Sequence, residues 1–469
     1  MPVNSFEDYP MTWIVQRNRL KTPIYKSLAK ALEEDIENGV LAPNTKLPPQ
    51  RELADYLDIN LSTVTRAFKL CEMKGLLYGT VGKGTFVSSH RPKPVNSTTS
   101  VDNHSIDFGQ IRPFYQLNQR VLEVANDILQ QTSANQLFEF MTLDKEYRYK
   151  RAAKKWLEQF HLPISENNII ITSGTQNAFV IALISLFQAG DKIAVDSFSY
   201  PNFIKLARQL NIQLIAVDGD EQGMNPQSLE MCCKNNHIKG IYLVPSCNNP
   251  TAITMPQLRR DEIATILNRH KLILIEDDTY SFLVPDLVPI SCSVEERFVY
   301  ISGTSKALCP GLRVAYMAVS EQLKEAVVSG MHHVNLQIPL LNLEILTTII
   351  ESETKDYLIS TRLRLAKERN EIFQDYFALP KGANPLSYFQ WITLPTHCNG
   401  YNFELQAKKA DLLVFCSDRF VVGPHTSNHA VRVSLCSVDT VADLEKGLAI
   451  LKKLIEENSF TGEENTLIV

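Results

Sequence analysis

A lysine closing an apolar strand, with an arginine seven residues later, can do chemistry on a carbonyl compound that carries a phosphate. The pair here is Lys306 and Arg313, in SGTSKALCPGLR. The amine can form an imine and the guanidinium can hold a phosphate dianion. Ser305 adds a hydroxyl donor beside them. Another apolar run, LILIEDDTY, ends in an acid, Asp277. A carboxylate there can keep a pyridine nitrogen protonated, which turns the ring into an electron sink. Tyr280 and Asn249, the latter in NNPTA, can donate to a phenolic oxygen and favour its anion. In ITSGTQNAF a strand gives way to a helix through Ser173, Gly174, Thr175 and Gln176. Backbone N–H groups at that helix start, with the Thr175 and Gln176 side chains, make an anion cup. Tyr200, in SFSYPNF, can stack on a ring, and Arg432, in AVRVSL, can clamp a substrate or effector carboxylate. Imine lysine, ring acid, phenolate donors, aromatic plate and phosphate cup are what pyridoxal 5'-phosphate needs from a protein. The residues predict that cofactor, carried on Lys306.

These groups need a scaffold that brings strand ends together. After about residue 107, the runs NIIITSG, KIAVDSF, IQLIAV, GIYLVPS, LILIEDD and FVYISG alternate with helical patterns such as TQNAFVIALISLFQ and NFIKLARQL. Continuous apolar runs are strands buried on both faces, and their alternation with helices predicts a mostly parallel α/β sheet. Before residue 90 the pattern differs. Tyr25, Leu28, Ala29, Leu32 and Ile36 recur at helical spacing up to Gly39. A second helix, LPPQRELADYL, opens on prolines, and a third, STVTRAFKLCEMKG, stops at Gly75. Two short extended runs, LLYGT and GTFVSS, flank Gly82-Lys83-Gly84. Three helices and a hairpin make a winged helix-turn-helix, expected over 15–90. Residues 91–106 are polar, proline-bearing and without period, and read as a linker to a large domain over 107–469.

The 23–87 region closely resembles the GntR-type DNA-binding domain. The shared marks are Gly39, Leu47-Pro48, Arg51, Leu53-Ala54, Thr63-Val64, Ala67, Gly75 and Gly84-Thr85-Phe86-Val87. The resemblance implies that the third helix enters the major groove and the wing touches the minor groove. Ser62, Thr63, Thr65 and Arg66 then lie where base edges are read, and Arg51 and Lys83 become DNA contacts. From about 107 onward, SGTQ, NPT, EDDxY, SKxxxPGxR and the late RVS fall in the order of fold-type-I aminotransferases of class I and II. That likeness implies a smaller C-terminal α+β subdomain, Lys306 as the Schiff-base lysine, Asp277 as the pyridine partner and Arg432 as the carboxylate binder. Joined to a GntR-type reader, the chain resembles a MocR-type transcription regulator over nearly its entire length.

Three departures stand out. Leu61 replaces a frequent arginine, which removes a charged DNA contact and weakens binding or changes base preference. Ala252 replaces the glycine of NPTG and must avoid a conformation that glycine tolerates. Met141 takes the place of a tyrosine that reaches the neighbouring subunit's phosphate, with Glu146 and Lys150-Arg151 following.

The bulk numbers set limits. The chain has 469 residues, a formal net charge of -5, 44% hydrophobic and 21% charged residues. Any nucleic-acid face is therefore local. No apolar run is long enough for a membrane span, and no secretory signal opens the chain. Nine scattered cysteines without a metal or disulfide framework suit reduced thiols in a cytoplasm. The expected partners are double-stranded operator DNA, a second copy of the chain, and an amino acid or amine effector that forms an external aldimine. Two other readings stay open: a working aminotransferase with an attached DNA-binding domain, and a sensor of pyridoxal phosphate itself.

Overall fold

A computed structural model describes residues 12–17, 20–37, 40–42, 45–73, 76–80, 84–88, 105–395, 398–423 and 429–464. It divides into two compact units between Asn103 and His104. In the first, α1 (Ile24–Glu37) buries Leu28, Ala29, Leu32 and Ile36 along one stripe. Pro49 precedes α2 (Gln50–Leu57), which buries Leu53, Ala54 and Leu57. That helix stops at Asp58, whose left-handed backbone turns its N–H back onto the Ala54 and Asp55 carbonyls. α3 (Leu61–Met73) buries Val64, Ala67, Phe68 and Cys71. β1 (Leu77–Thr80) and β2 (Gly84–Val87) pair antiparallel as the wing. Residues ahead of α1 complete this core: Trp13 and Val15 are buried, and the Trp13 indole donates to Asp35 at 2.8 Å.

The second unit opens with β3 (Ile106–Asp107), α4 (Asn118–Leu129) and α5 (Leu143–Glu158). Then come β4 (Ile169–Thr172), α6 (Thr175–Leu186), β5 (Lys192–Asp196), α7 (Pro201–Gln209), β6 (Gln213–Val217) and the small hairpin β7 (Gly219–Asp220)–β8 (Gly223–Met224). α8 (Pro226–Asn235), β9 (Ile238–Leu243), α9 (Gln257–His270), β10 (Ile273–Asp277), β11 (Phe298–Gly303) and β12 (Ala315–Val319) follow. The main sheet has the order β4-β12-β11-β10-β9-β5-β6. Its strands run parallel except β12, which is antiparallel to both neighbours. The mostly parallel sheet is thus present, with β12 as a strand the alternation did not single out. Alternate residues face opposite sides. Ile193, Val195 and Tyr242 pack with α6 and α7, while Ala194, Ile241 and Leu243 pack with α8 and α9.

After α10 (Glu321–Val334), α11 (Leu340–Glu351) and α12 (Thr354–Gln374), the chain builds the smaller α+β subdomain. β13 (Phe389–Thr393), β16 (Ala430–Ser434) and β15 (Phe415–Cys416) form its antiparallel sheet, and β14 (Leu412–Leu413) pairs with β3. α13 (Gly400–Lys409) and α14 (Val441–Glu464) cover it, with Phe403, Ala407, Leu444, Leu448 and Leu451 in its core.

One expectation is overturned. Ala252 does not avoid the glycine conformation; its φ is +62°. The turn holds it there with several bonds. The Ala252 N–H donates to Asn248 at 2.7 Å, and its carbonyl accepts from Asn384 at 2.8 Å. Such bonds offset the roughly 1–2 kcal/mol that a Cβ costs in a left-handed backbone.

Phe203 is fully buried and stacks on Tyr242, ring centroids 3.7 Å apart. Phe203→Ala is expected to lower the stability of the larger unit by about 3–5 kcal/mol, read as a fall in the denaturant midpoint.

Candidate functional site

The sheet delivers its functional side chains at strand ends. β10 ends in Asp277, which is buried. The Tyr242 hydroxyl donates to its Oδ2 at 3.1 Å and Thr279 Oγ1 donates to its Oδ1 at 2.7 Å. Burial pushes the acid up to about 6, while those hydroxyl donors pull the other way. Beside it, β11 ends at Gly303. A Cβ there would lie 2.5 Å from Thr175 Oγ1 and 2.8 Å from Thr279 Oγ1, so glycine lets the two hydroxyls close over the strand end.

Lys306 follows in the next turn. Its Nζ donates to the Ile111 carbonyl at 3.0 Å, and the Tyr388 hydroxyl donates to the Lys306 carbonyl at 3.1 Å. Burial lowers the ammonium to about 8. The thiol of Cys436 opposes that shift, and the charges of Arg432, Arg313 and Arg362 add to it.

Arg313 has a left-handed backbone, φ 52°, and donates to Ser305 Oγ at 3.3 Å. Gly174, also at positive φ, precedes α6. A Cβ on it would come within 2.6 Å of the Arg313 guanidinium. The guanidinium therefore lies directly over the start of α6, where N–H groups point outward. Thr175 and Gln176 open that helix, and Gln176 Oε1 is buried without a hydrogen-bond partner. Tyr200 caps α7, and its hydroxyl accepts from Asn202 at 3.0 Å. Burial and then the charge of Asp277 push its pKa up.

Arg432 comes from β16 and is buried. Its Nη1 donates to Asn249 Oδ1 at 2.7 Å and its Nη2 donates to the Gly109 carbonyl, while Nε has no partner. Phe389, Phe415 and Phe420 rings surround it at 5.6, 5.7 and 4.9 Å. Burial lowers its pKa to about 10. Tyr280 is buried against Tyr388 and Phe389, and burial raises its phenol well above the ordinary value.

The structure therefore places all the residues expected around pyridoxal phosphate in one neighbourhood. Sequence reasoning missed Thr279, Tyr242, Gly109, Ile111, Arg362 and Tyr388. Thr279 carried a signal, since a threonine two residues after an aspartate commonly bonds back to it. The others reach the site from distant segments and left no local mark. Met141 packs against the core and donates its N–H to Gln337 Oε1 at 2.8 Å. Lys150 pairs with Glu146 at 2.8 Å along α5.

In the N-terminal unit, Arg51, Ser62, Thr65 and Arg66 are exposed and Thr63 is half-buried. Thr65 Oγ1 donates to Gln50 Oε1 at 2.8 Å, and Arg66 lies over the Tyr25 ring at 4.4 Å. Lys83 falls outside the described residues. Among the described residues no helix is long and apolar enough to cross a membrane, no metal-ligating group of three is formed, and no cysteine is in a disulfide.

Comparison with known proteins agrees with both halves of this geometry. Residues 105–397 match the model for aminotransferase class I and II, and residues 24–87 match that for bacterial regulatory proteins of the gntR family. The chain is similar to the uncharacterized HTH-type transcriptional regulator YdeF of Bacillus subtilis, 38% identical over 97% of this chain and 100% of that one. It belongs to the MocR-type transcription regulators. More distantly, it is similar to the vitamin B6 salvage pathway transcriptional repressor PtsJ of Salmonella typhimurium, 25% identical over 87% of this chain and 93% of the relative. Among solved structures, the multiple substrate aminotransferase of Thermococcus profundus superposes with a TM-score of 0.70, at 20% identity over 79% of this chain and 96% of that chain. The kynurenine aminotransferase of Pyrococcus horikoshii gives 0.69, at 22% identity over 76% and 93%. At those identities the likeness shows the fold.

The aminotransferase-like domain of such a regulator takes pyridoxal phosphate, and the residues present fit it. The cup at Gly174 has no room for a Cβ under Arg313, and Arg432 Nε is a buried donor without a partner. When bound, the cofactor supplies a carbonyl for amines and an electron sink.

Because Lys306 is lowered to about 8, cofactor capture by the cofactor-free protein should quicken with rising pH and level off above about 8. Stopped-flow records of the visible band would show the midpoint. Arg432→Gln removes a neighbouring positive charge and should move that midpoint upward.

Proposed function

We propose that this MocR-type regulator senses an amino acid or amine. The ligand's amine engages the cofactor at Lys306, its carboxylate sits on Arg432, and the outcome is a change in operator affinity. The observation that carries this reading is a strap, Asp107–Pro113, beginning four residues after the N-terminal unit ends at Asn103. Its alternate carbonyls are taken by three cationic side chains of the site. Gly109 accepts from Arg432, Ile111 from Lys306, and Pro113 from Arg362. A ligand that changes what Lys306 and Arg432 hold changes the strap's anchors, next to the chain that leads to the DNA reader. A ligand shifts a conformation only through such differential contacts.

In this proposal Asp277 partners the pyridine nitrogen. Tyr280 and Asn249 serve the phenolic oxygen; Asn249 turns its oxygen to Arg432 and so keeps its amide N–H groups for donation. Gly174, Thr175, Gln176, Ser305 and Arg313 hold the phosphate, and Tyr200 is the plate. Arg51, Ser62, Thr63, Thr65, Arg66 and Lys83 meet operator DNA. Cysteines without disulfides suit a cytoplasmic setting.

The active form is a homodimer in this reading. Phe138, Phe140, Leu143 and Leu336 are 73–85% exposed. Gln337 draws their segments together, accepting from the Met141 N–H and donating to the Glu139 carbonyl. So much exposed apolar surface in one place fits a subunit interface. Phe140→Asp with Leu143→Asp should convert a dimer into a monomer in sedimentation velocity.

Turnover separates the regulator from an aminotransferase with a DNA-binding appendage. Amino acids would be screened for a change in the visible band, and each hit tested for operator affinity and transamination. A sensing ligand should change operator affinity roughly 5- to 150-fold, and Lys306→Ala should abolish the response. Sustained turnover above about 1 s⁻¹ without any effect on DNA would make the chain an aminotransferase with a DNA-binding appendage. The name of the Salmonella relative favours a second reading, in which pyridoxal phosphate is itself the signal. In that case the cofactor alone, added to cofactor-free protein, would give the full change in affinity.

A further inference from the structure

A helix-turn-helix reads base edges in the major groove with the first turns of its second helix. In this unit that helix is α3, and two residues at its start offer a DNA base little hydrogen bonding. Leu61 is 41% exposed and lies outside the hydrophobic core of its unit. Packing therefore does not account for a leucine there. Thr65 is exposed as well, but its hydroxyl donates to Gln50 within the protein. Its γ-methyl is the part left without a polar role. Residues four apart on a helix are neighbours, so Leu61 and Thr65 form one ridge. Arg66, the nearest cation on α3, lies over the Tyr25 ring of α1. Ser62 is the hydroxyl beside this ridge. An apolar ridge at the start of a recognition helix has a specific partner in the major groove, the 5-methyl group of thymine.

We propose that Leu61, seconded by Thr65, reads the 5-methyl group of a thymine in each operator half-site. The inference rests on the assignment of α3 as the DNA-reading helix and names what that helix selects. It makes Leu61 a specificity-determining residue through shape and apolar contact, with no hydrogen bond involved.

Deoxyuridine differs from thymidine only by that methyl group, so it is the probe. Operators would first be selected from a random duplex library with the full-length chain. Thymines of the selected site would then be replaced one at a time by deoxyuridine, and affinities measured at fixed salt. One thymine per half-site should weaken binding about fourfold on losing its methyl, the worth of one buried carbon. In Leu61→Ala that same replacement should cost less than about twofold, and the variant should bind the deoxyuridine operator about as well as the parent chain does. Thr65→Ser keeps the hydroxyl for Gln50 and removes only the methyl, and should reproduce a smaller part of the loss. Leu61 is exposed, so Leu61→Ala should keep its thermal midpoint, which the same preparation would show. A thymine penalty that persists unchanged in Leu61→Ala, or no thymine with such a penalty, overturns the inference and leaves the DNA-binding assignment standing. Failure of the full chain to enrich any duplex would instead overturn that assignment, and this inference with it.

Discussion

Buried positive charge without a carboxylate partner is the constraint around which the larger unit is organised. Arg362 and Arg432 are almost wholly buried and Lys306 is partly so. Among the described residues none of the three forms an ion pair. Withdrawing such groups from water is costly unless something replaces the water. The chain supplies main-chain carbonyls: those of Gly109, Ile111, Pro113 and Leu308 accept from them. Aromatic faces of Phe389, Phe415 and Phe420 add to this around Arg432.

Carbonyl dipoles compensate such charge only in part, and anions do so better. The Nε atoms of Arg362 and Arg432 remain unpaired, and Arg313 lies over the start of α6, which itself attracts negative charge. A bound anion, such as a phosphate or carboxylate group, would relieve this imbalance. The strap, through its carbonyls, is the chain's own partial compensation for these cations. Its tight path depends on Gly109, where a Cβ would press on the Phe415 ring at 2.7 Å. Asp107 shapes its start by accepting from the Gly109 and Gln110 N–H groups and pairing with Arg112.

The N-terminal unit follows the opposite logic. Its core is apolar and closed by its own helices and the segment around Trp13, while Arg51, Ser62, Thr65 and Arg66, the proposed DNA contacts, are exposed. The outer face of α3 carries small internal commitments, Thr65 to Gln50 and Arg66 to Tyr25.

The sequence by itself determined the elements and the class of cofactor. Continuous apolar runs were strands because burial on both faces demands them, and LILIEDD became the wholly buried β10. Lys306, Asp277, Arg313 and Gly174 were legible because each chemical demand falls at a strand end or a helix start, where local pattern is strong. The helices of the reader were equally plain from spacing and from prolines at helix starts. Tertiary structure alone decided which distant groups meet those residues. Ile111 and Lys306 are 195 positions apart and Gly109 and Arg432 are 323 apart, and no local periodicity encodes such a contact. Ala252 shows the same limit in reverse. Its residue type spoke against a left-handed backbone, and the turn between Asn248 and Asn384 overrode that preference because its bonds outweigh one unfavourable Cβ.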